Sequence, residues 1–280
     1  MANSNEPLPT SSLNLQKRAA STPLPPNIPP TDDYGMMLPR LLPAPRACTA
    51  SAGVMWVVQA FSLFQRQALL WLGMGATLLI ILGILGAIPF LNIFMVIIVF
   101  IFVGGIVKGA AAQSQGDELR FDYLFSGFKS HGKPLLILGL LYLLGTIVCM
   151  IPMIIGVGSV AFFLSPDNYN AMHEFSISGL IIGYLLSMLL SIPLMMAIWF
   201  APALIVLHDI DAITALKKSF QGCKKNLIPL FVYGLMCLVV FPMVILFTLG
   251  LGIFLVIPIL LLTYFTSYRD VWTDQPLNAH

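Results

Sequence analysis

The sequence predicts an all-α polytopic membrane bundle of six transmembrane helices, arranged as three repeated units of one amphipathic helix plus two spans. Three observations predict it. Hydrophobic residues make up 58% of the chain and charged residues only 9%, against about 25% charged in ordinary soluble domains. Four stretches, 67–107, 134–166, 175–208 and 226–268, hold no charged residue, and each exceeds the roughly 20 residues that cross a hydrocarbon core. The third observation is a short motif that recurs ahead of each pair of spans.

Residues 1–50 precede the first span. They contain the proline-rich runs PLPPNIPP from Pro23 and LPRLLPAPR from Leu38, so they read as a disordered, partly polyproline-II cytoplasmic tail. No apolar run followed by a small-residue cleavage site occurs in this tail, and it is expected to stay attached. Residues 51–270 form the membrane domain, and 271–280 a short second tail.

The motif stands as AFSLFQRQALLWLG from Ala60, LFSGFKSHGKPLLILG from Leu124 and SFQGCKKNLIPLFVYG from Ser219. Alignment places Phe61, Phe125 and Phe220 in register, then Phe64, Phe128 and Cys223, then a polar step, then Gly73, Gly139 and Gly234. Such self-similarity marks three copies of one unit. Within each copy apolar residues recur at helical spacing: Val54, Val57, Val58, Phe61 and Phe64; Phe121, Leu124, Phe125 and Phe128; Ile213, Leu216, Phe220 and Cys223. These helices are expected to lie in the membrane interface, with Gln59, Arg66, Asp122, Lys129 and the four α-helical lysines of the third copy on their polar faces.

The first uncharged stretch is too long for one helix. Pro89-Phe90-Leu91-Asn92 supplies a turn, which sets spans at about 68–88 and 92–108. The spans at 134–164 and 177–207 are longer than a bilayer requires, so tilting, kinking or projection beyond it is expected. The last stretch divides near Thr248-Leu249-Gly250-Leu251-Gly252 into 227–248 and 250–268. Pro152, Pro193, Pro202, Pro242 and Pro258 fall inside spans, where neighbouring helices must satisfy the freed backbone groups.

Charge placement sets the orientation. All fourteen basic residues lie in the first tail, after the second and fourth spans, or at the C-terminal end, and none lies in the two tight turns or in the loop Ser165–Ser176. By the positive-inside rule both termini are cytoplasmic. Arg66, Lys129, Lys133, Lys217, Lys218, Lys224 and Lys225 are then the candidate contacts to anionic headgroups, each worth about 1 kcal/mol near the surface.

The stretch WFAPALIVLHDIDAITALKKSF, Trp199 to Phe220, and the closing SYRD, Ser267 to Asp270, resemble segments of a family of proteobacterial multispan inner-membrane proteins without an assigned activity. That family is distantly similar to YciC-type proteins and to the membrane region preceding some glycerophosphodiester phosphodiesterases. The resemblance extends loosely from Gly53 to Asp270 and leaves out the tail. It implies a bacterial inner membrane and a non-enzymatic chain, since the catalytic phosphodiesterase part has no counterpart here.

Catalytic signatures are scarce. Neither G-x-S-x-G, H-E-x-x-H nor a P-loop occurs, and no catalytic, cofactor-binding or metal site is assigned. No ionisable residue falls deep in the predicted spans, which speaks against proton relays. Thr77, Thr146, Ser159, Ser187, Ser191 and Tyr184 are expected to hydrogen-bond between helices. His208, Asp209 and Asp211 read as a helix end followed by an N-cap from Asp211, with a metal or lipid-acting site as the alternative. Asp167, His173 and Glu174 read as a solvated loop. Asp117, Glu118 and Asp122 suit the N-terminus of the second amphipathic helix. Gly105 with Gly109, and Gly179 with Gly183, read as close packing of spans within the chain. Cys48, Cys149, Cys223 and Cys237 lack paired or zinc-like spacing and read as packing residues or inert thiols.

The net charge of +2 gives no reason to expect a nucleic-acid partner. The expected partners are membrane lipids and other membrane proteins. A non-catalytic lipid-contacting or scaffolding role is the leading expectation, ahead of a transporter or channel for a neutral or apolar solute, and of a lipid-acting enzyme.

Overall fold

The computed structural model describes residues 39–88, 91–163 and 173–275. The run Pro23 to Pro30, the Pro89-Phe90 turn, Asp167 and the side chains of Ser159, His173 and Glu174 lie outside the described residues. Residues 1–40 form one unit and residues 41–280 another; all that follows concerns the second.

Among the described residues ten helices order this unit: α1 Ala52–Arg66, α2 Ala68–Ala87, α3 Leu91–Gln115, α4 Tyr123–Ser130, α5 Gly132–Phe163, α6 His173–Ile198, α7 Ala201–His208, α8 Ala212–Lys225, α9 Leu227–Phe247 and α10 Ile253–Trp272. The fold is an all-α polytopic bundle. Among the described residues six segments are long and apolar enough to cross a membrane: Ala68–Ala87, Phe94–Gln115, Gly132–Gly158, Ser178–His208, Leu227–Phe247 and Ile253–Trp272. The second span of each pair is the inner one, with 67%, 44% and 61% of its apolar stretch buried against 22%, 17% and 11% for the first. Three inner spans therefore form the core and three outer spans face their surroundings.

Each amphipathic helix packs against the second span of the unit before it: α4 on α3, α8 on α6 and α7, and α1 on α10. Because the last contact returns to the first unit, the three copies close into a ring. Close approach explains which face turns inward. The buried residues of α1 include Gly53 and Ala60, those of α4 are Leu124 and Gly127, and those of α8 include Ala215, Ser219 and Gly222. A Cβ on Gly53 would stand 2.2 Å from Pro229 O, and one on Gly127 2.1 Å from Ile101 O, so backbone meets backbone there.

This corrects the expectation that the apolar stripes as a whole face a membrane interface. Val57, Phe64, Leu124 and Cys223 are core, whereas Val54, Val58, Phe61, Phe121, Phe125, Phe128, Ile213 and Phe220 remain exposed. Each helix thus brings small residues into its inward face, beside Trp56 and Phe64 in α1 and Leu124 in α4, and leaves further large apolar residues on its outer flank.

Several span boundaries also move. The second span runs past Lys108 to Gln115, and the last runs past Tyr268 to Trp272. In the fourth span the helix breaks at Trp199 and Phe200, and Pro202 sits in the first turn of α7, where its missing N–H costs nothing. Ser219 closes that break, accepting from Phe200 N at 2.9 Å and donating to Met196 O at 2.8 Å. Pro152, Pro193, Pro242 and Pro258 lie inside continuous helices. Beside Pro152, Ser187 of α6 accepts the Met153 N–H at 3.0 Å, the compensation that a proline in a span requires.

The paired glycines pack within the chain. A Cβ on Gly105 would meet Tyr123 O at 2.4 Å, and one on Gly183 would meet Pro152 O at 2.5 Å. The turn at Thr248 to Gly252 falls where expected, with Leu249 and Gly250 at positive φ and Thr248 Oγ1 accepting from Gly252 N at 2.6 Å.

The tail ends earlier than residue 50. Leu41 bridges Thr273, Leu42 N donates to Trp272 O and Arg46 N to Val271 O, both at 2.8 Å. Residues 41–48 are therefore part of the bundle, held by backbone hydrogen bonds that no local pattern announces.

Candidate functional site

Between each amphipathic helix and its first span stands one polar residue: Gln67, His131 or Asn226. Each lies six positions after the aligned phenylalanine, and each leaves helical geometry at similar angles, φ/ψ of −143/54, −127/21 and −121/36. The carbonyl of each accepts the first bond of the next helix, from Trp71, Leu135 and Leu230 N at 3.1 Å. A joint of this kind leaves side-chain donors and acceptors free for other work.

That work is the ring itself. Gln67 Oε1 accepts from Leu119 N at 2.9 Å, just ahead of α4. His131 Nε2 hydrogen-bonds Asp209 Oδ1 at 2.6 Å, just ahead of α8. Asn226 Oδ1 accepts from Cys48 N at 2.8 Å, just ahead of α1, while its Nδ2 donates to Arg46 O at 2.8 Å and Gly222 O at 3.0 Å. The joint of each unit thus holds the lead-in of the next, and the third holds the first. These residues escape a reading of the sequence alone; their only signal is one polar position between a basic helix end and an apolar run, repeated three times.

The C-terminal turns of α10 form a buried polar cluster. Ser267, Tyr268, Arg269 and Asp270, the SYRD motif, are all buried, Arg269 at 7% exposure and Asp270 at 4%. Both stand within the last turn of the last span, which runs past the expected boundary at 268. Trp56 Nε1 donates to Asp270 Oδ2 at 2.9 Å, Arg46 donates to the Asp270 and Thr273 carbonyls, and Arg269 donates to Ser114 Oγ and Gln275 O. Trp199 Nε1 donates to Ser267 Oγ at 3.2 Å, and His208 hydrogen-bonds the Tyr268 hydroxyl. The two stretches that carry the family resemblance are therefore packed on one another.

His208, Asp209 and Asp211 do not converge on a common point. His208 turns to Tyr268 and Asp209, in the left-handed conformation, turns to His131. Asp211 caps α8, accepting from Thr214 N at 3.0 Å, and that hydrogen bond holds its carboxyl below the usual range. Among the described residues no group of three His, Cys, Asp or Glu side chains has metal-binding geometry. Asp122 occupies the N-cap position of α4 without capping it and pairs instead with Arg120 at 2.9 Å.

The candidate headgroup contacts fall where the repeat places them. Arg66, Lys129, Lys224 and Lys225 stand in the last turns of α1, α4 and α8, where a cation meets the negative end of the helix dipole. Arg66, Lys129, Lys133, Lys217, Lys224 and Lys225 are exposed. Lys218 is half-buried, its Nζ 5.3 Å from the centroid of the Trp272 ring, and Lys225 donates to Pro45 O at 2.9 Å.

Burial pushes the Cys48 thiol up to about 11, with the Asp270 carboxylate adding and Arg46 opposing; burial pushes Cys223 up to about 12, with the neighbouring Ser219 opposing. A raised thiol pKa contributes stability that is complete below the ordinary value of about 8.5 and is lost as pH rises toward the folded value. Melting in detergent is expected to lose stability between about pH 9 and 11, and a Cys48→Ser, Cys223→Ala double variant is expected to lose less. An identical alkaline fall in both proteins contradicts this assignment.

No protein-family model matches the chain, and no solved structure matches it. A probable inner membrane protein of Burkholderia thailandensis is 27% identical over 200 residues, covering 67% of this chain and 73% of that protein. The similarity supports a membrane protein.

Proposed function

We propose that this chain is a non-catalytic integral protein of a bacterial inner membrane, with both termini cytoplasmic, that contacts lipid through a collar of three interfacial helices and serves as a scaffold for envelope partners. The collar carries the reading. Phe61, Phe125 and Phe220, aligned in the repeat, are 40%, 37% and 37% exposed, and each is followed four or five residues later by an exposed cation, Arg66, Lys129, and Lys224 with Lys225. Half-exposed aromatic rings beside cations at a helix end match an interface between acyl chains and anionic headgroups. The similarity to an inner membrane protein and the likeness to YciC-type proteins favour the same setting.

Spin labels at Phe61→Cys, Phe125→Cys and Phe220→Cys test the collar. Equal interfacial depth in reconstituted vesicles is expected, and labels reporting bulk water overturn it. Orientation has a separate test in whole cells. A membrane-impermeant maleimide is expected to label Leu249→Cys, 94% exposed in the α9–α10 turn, in intact cells, and Lys224→Cys only after the membrane is opened; the reverse pattern inverts the topology.

A transporter for a neutral solute is the second reading, motivated by internal repeats and prolines in spans. Broken helices around a midplane site would be its signature, and four of the five prolines sit in unbroken helices. Saturable solute flux in reconstituted vesicles would replace the scaffold reading.

A further inference from the structure

A groove of about 410 Å³ opens between α6, α8 and α9, within the roughly 300–1,000 Å³ typical of ligand sites. Its walls include Met195, Trp199, Leu230 and Tyr233, with Cys223 of α8 at one end. The lining is almost wholly apolar and belongs to two spans, so the medium beside it is acyl chain. Gly234 forms part of the wall, and a Cβ there meets nothing within 4 Å.

Charge tells which amphiphile fits. Ile213, Lys217, Phe220 and Lys224 follow one another at helical spacing along a single flank of α8, and Lys224 directly follows Cys223. Both lysines are exposed, and neither pairs with a carboxylate among the described residues. Lys218 and Lys225 are engaged elsewhere, over Trp272 and at Pro45 O. Two exposed cations thus stand on the same helix that lends Cys223 to the groove wall.

We infer that this groove holds one acyl chain of an anionic glycerophospholipid from the surrounding bilayer, with Lys217 and Lys224 taking its phosphate-bearing headgroup. The site rests on the lipid-contact reading above and adds a particular lipid class at a particular place. An anionic lipid is expected to be preferred over a zwitterionic one on the order of tenfold, from two lysines near the surface.

Trp199 reports occupancy, because Trp56, Trp71 and Trp272 are buried and Trp199 lines the groove. The full chain, reconstituted in phosphatidylcholine vesicles, is titrated with lipids brominated on the acyl chain, either phosphatidylglycerol or phosphatidylcholine, and a Trp199→Phe variant supplies the background. Brominated phosphatidylglycerol is expected to quench Trp199 at roughly tenfold lower mole fraction. The Lys217→Ala, Lys224→Ala double variant should equalise the two lipids, and Gly234→Phe, which fills open space, should protect Trp199 from both. Equal quenching of the parent protein by the two lipids overturns the site, as does unchanged quenching in folded Gly234→Phe. Because the spin labels read the collar independently, failure here with interfacial labels defeats the groove alone, whereas labels in bulk water defeat the collar reading as well.

Discussion

Replacing Asn226 with leucine should destabilise the bundle by on the order of 3 kcal/mol, as read by thermal or denaturant unfolding in detergent. Leucine is close in size, so the loss is of hydrogen bonding and not of volume. Asn226 is fully buried, and three groups depend on it: Cys48 N–H, the Arg46 carbonyl and the Gly222 carbonyl. The first two bonds are part-buried and the third is buried, and an orphaned buried group costs about 1–3 kcal/mol. The loss should also be directional. Residues 41–48 are held partly by this side chain, so trypsin should cut at Arg46 in the variant and spare it in the parent. Unchanged stability together with an uncut Arg46 would show that the third joint does not close the ring.

Alanine at Gly127 should also be severely destabilising, and alanine at Gly234 should not. A methyl group at Gly127 would sit 2.1 Å from Ile101 O, a backbone atom that moves only if α3 or α4 moves. Overpacking of this kind costs roughly 1–3 kcal/mol or more, against the gain of about 1 kcal/mol that alanine normally brings to a helix. At Gly234 nothing opposes that gain, and stability should rise by about 1 kcal/mol. The pair therefore predicts opposite signs for the same chemical change at two helical glycines. Equal effects at both would mean that α4 does not approach α3 this closely.

The spans were readable because hydropathy is a local property: an uncharged run longer than a bilayer is thick leaves few alternatives. The three-unit repeat was readable for a related reason, since its aligned phenylalanines and basic helix ends recur at fixed spacing. What escaped was whatever depends on distant partners. Arg269 and Asp270 end a span by hydropathy, yet they continue α10 because Trp56, Arg46 and Ser114 arrive from far along the chain to receive them. Residues 41–48 look like linker, since prolines and single apolar residues give no periodicity, and only the edge of α10 reveals their place. The inward faces of α1, α4 and α8 are equally hidden from the sequence. A helical stripe of phenylalanine and valine shows which residues are apolar, but the closest packing is reached by glycine and alanine, which carry the weakest hydrophobic signal. His208, Asp209 and Asp211 were legible by contrast, because a helix end followed by an Asp N-cap is a local pattern: Asp211 caps α8, and the left-handed turn at Asp209 separates it from His208.

Closure of the three units also brings the bundle's two ends together, Leu41 beside Thr273. A ring whose first and last residues touch has no privileged starting point. The joints that close it repeat one device, a polar residue holding the lead-in of the next unit, so the architecture is compatible with an ancestral single unit that assembled as a trimer before its copies were fused.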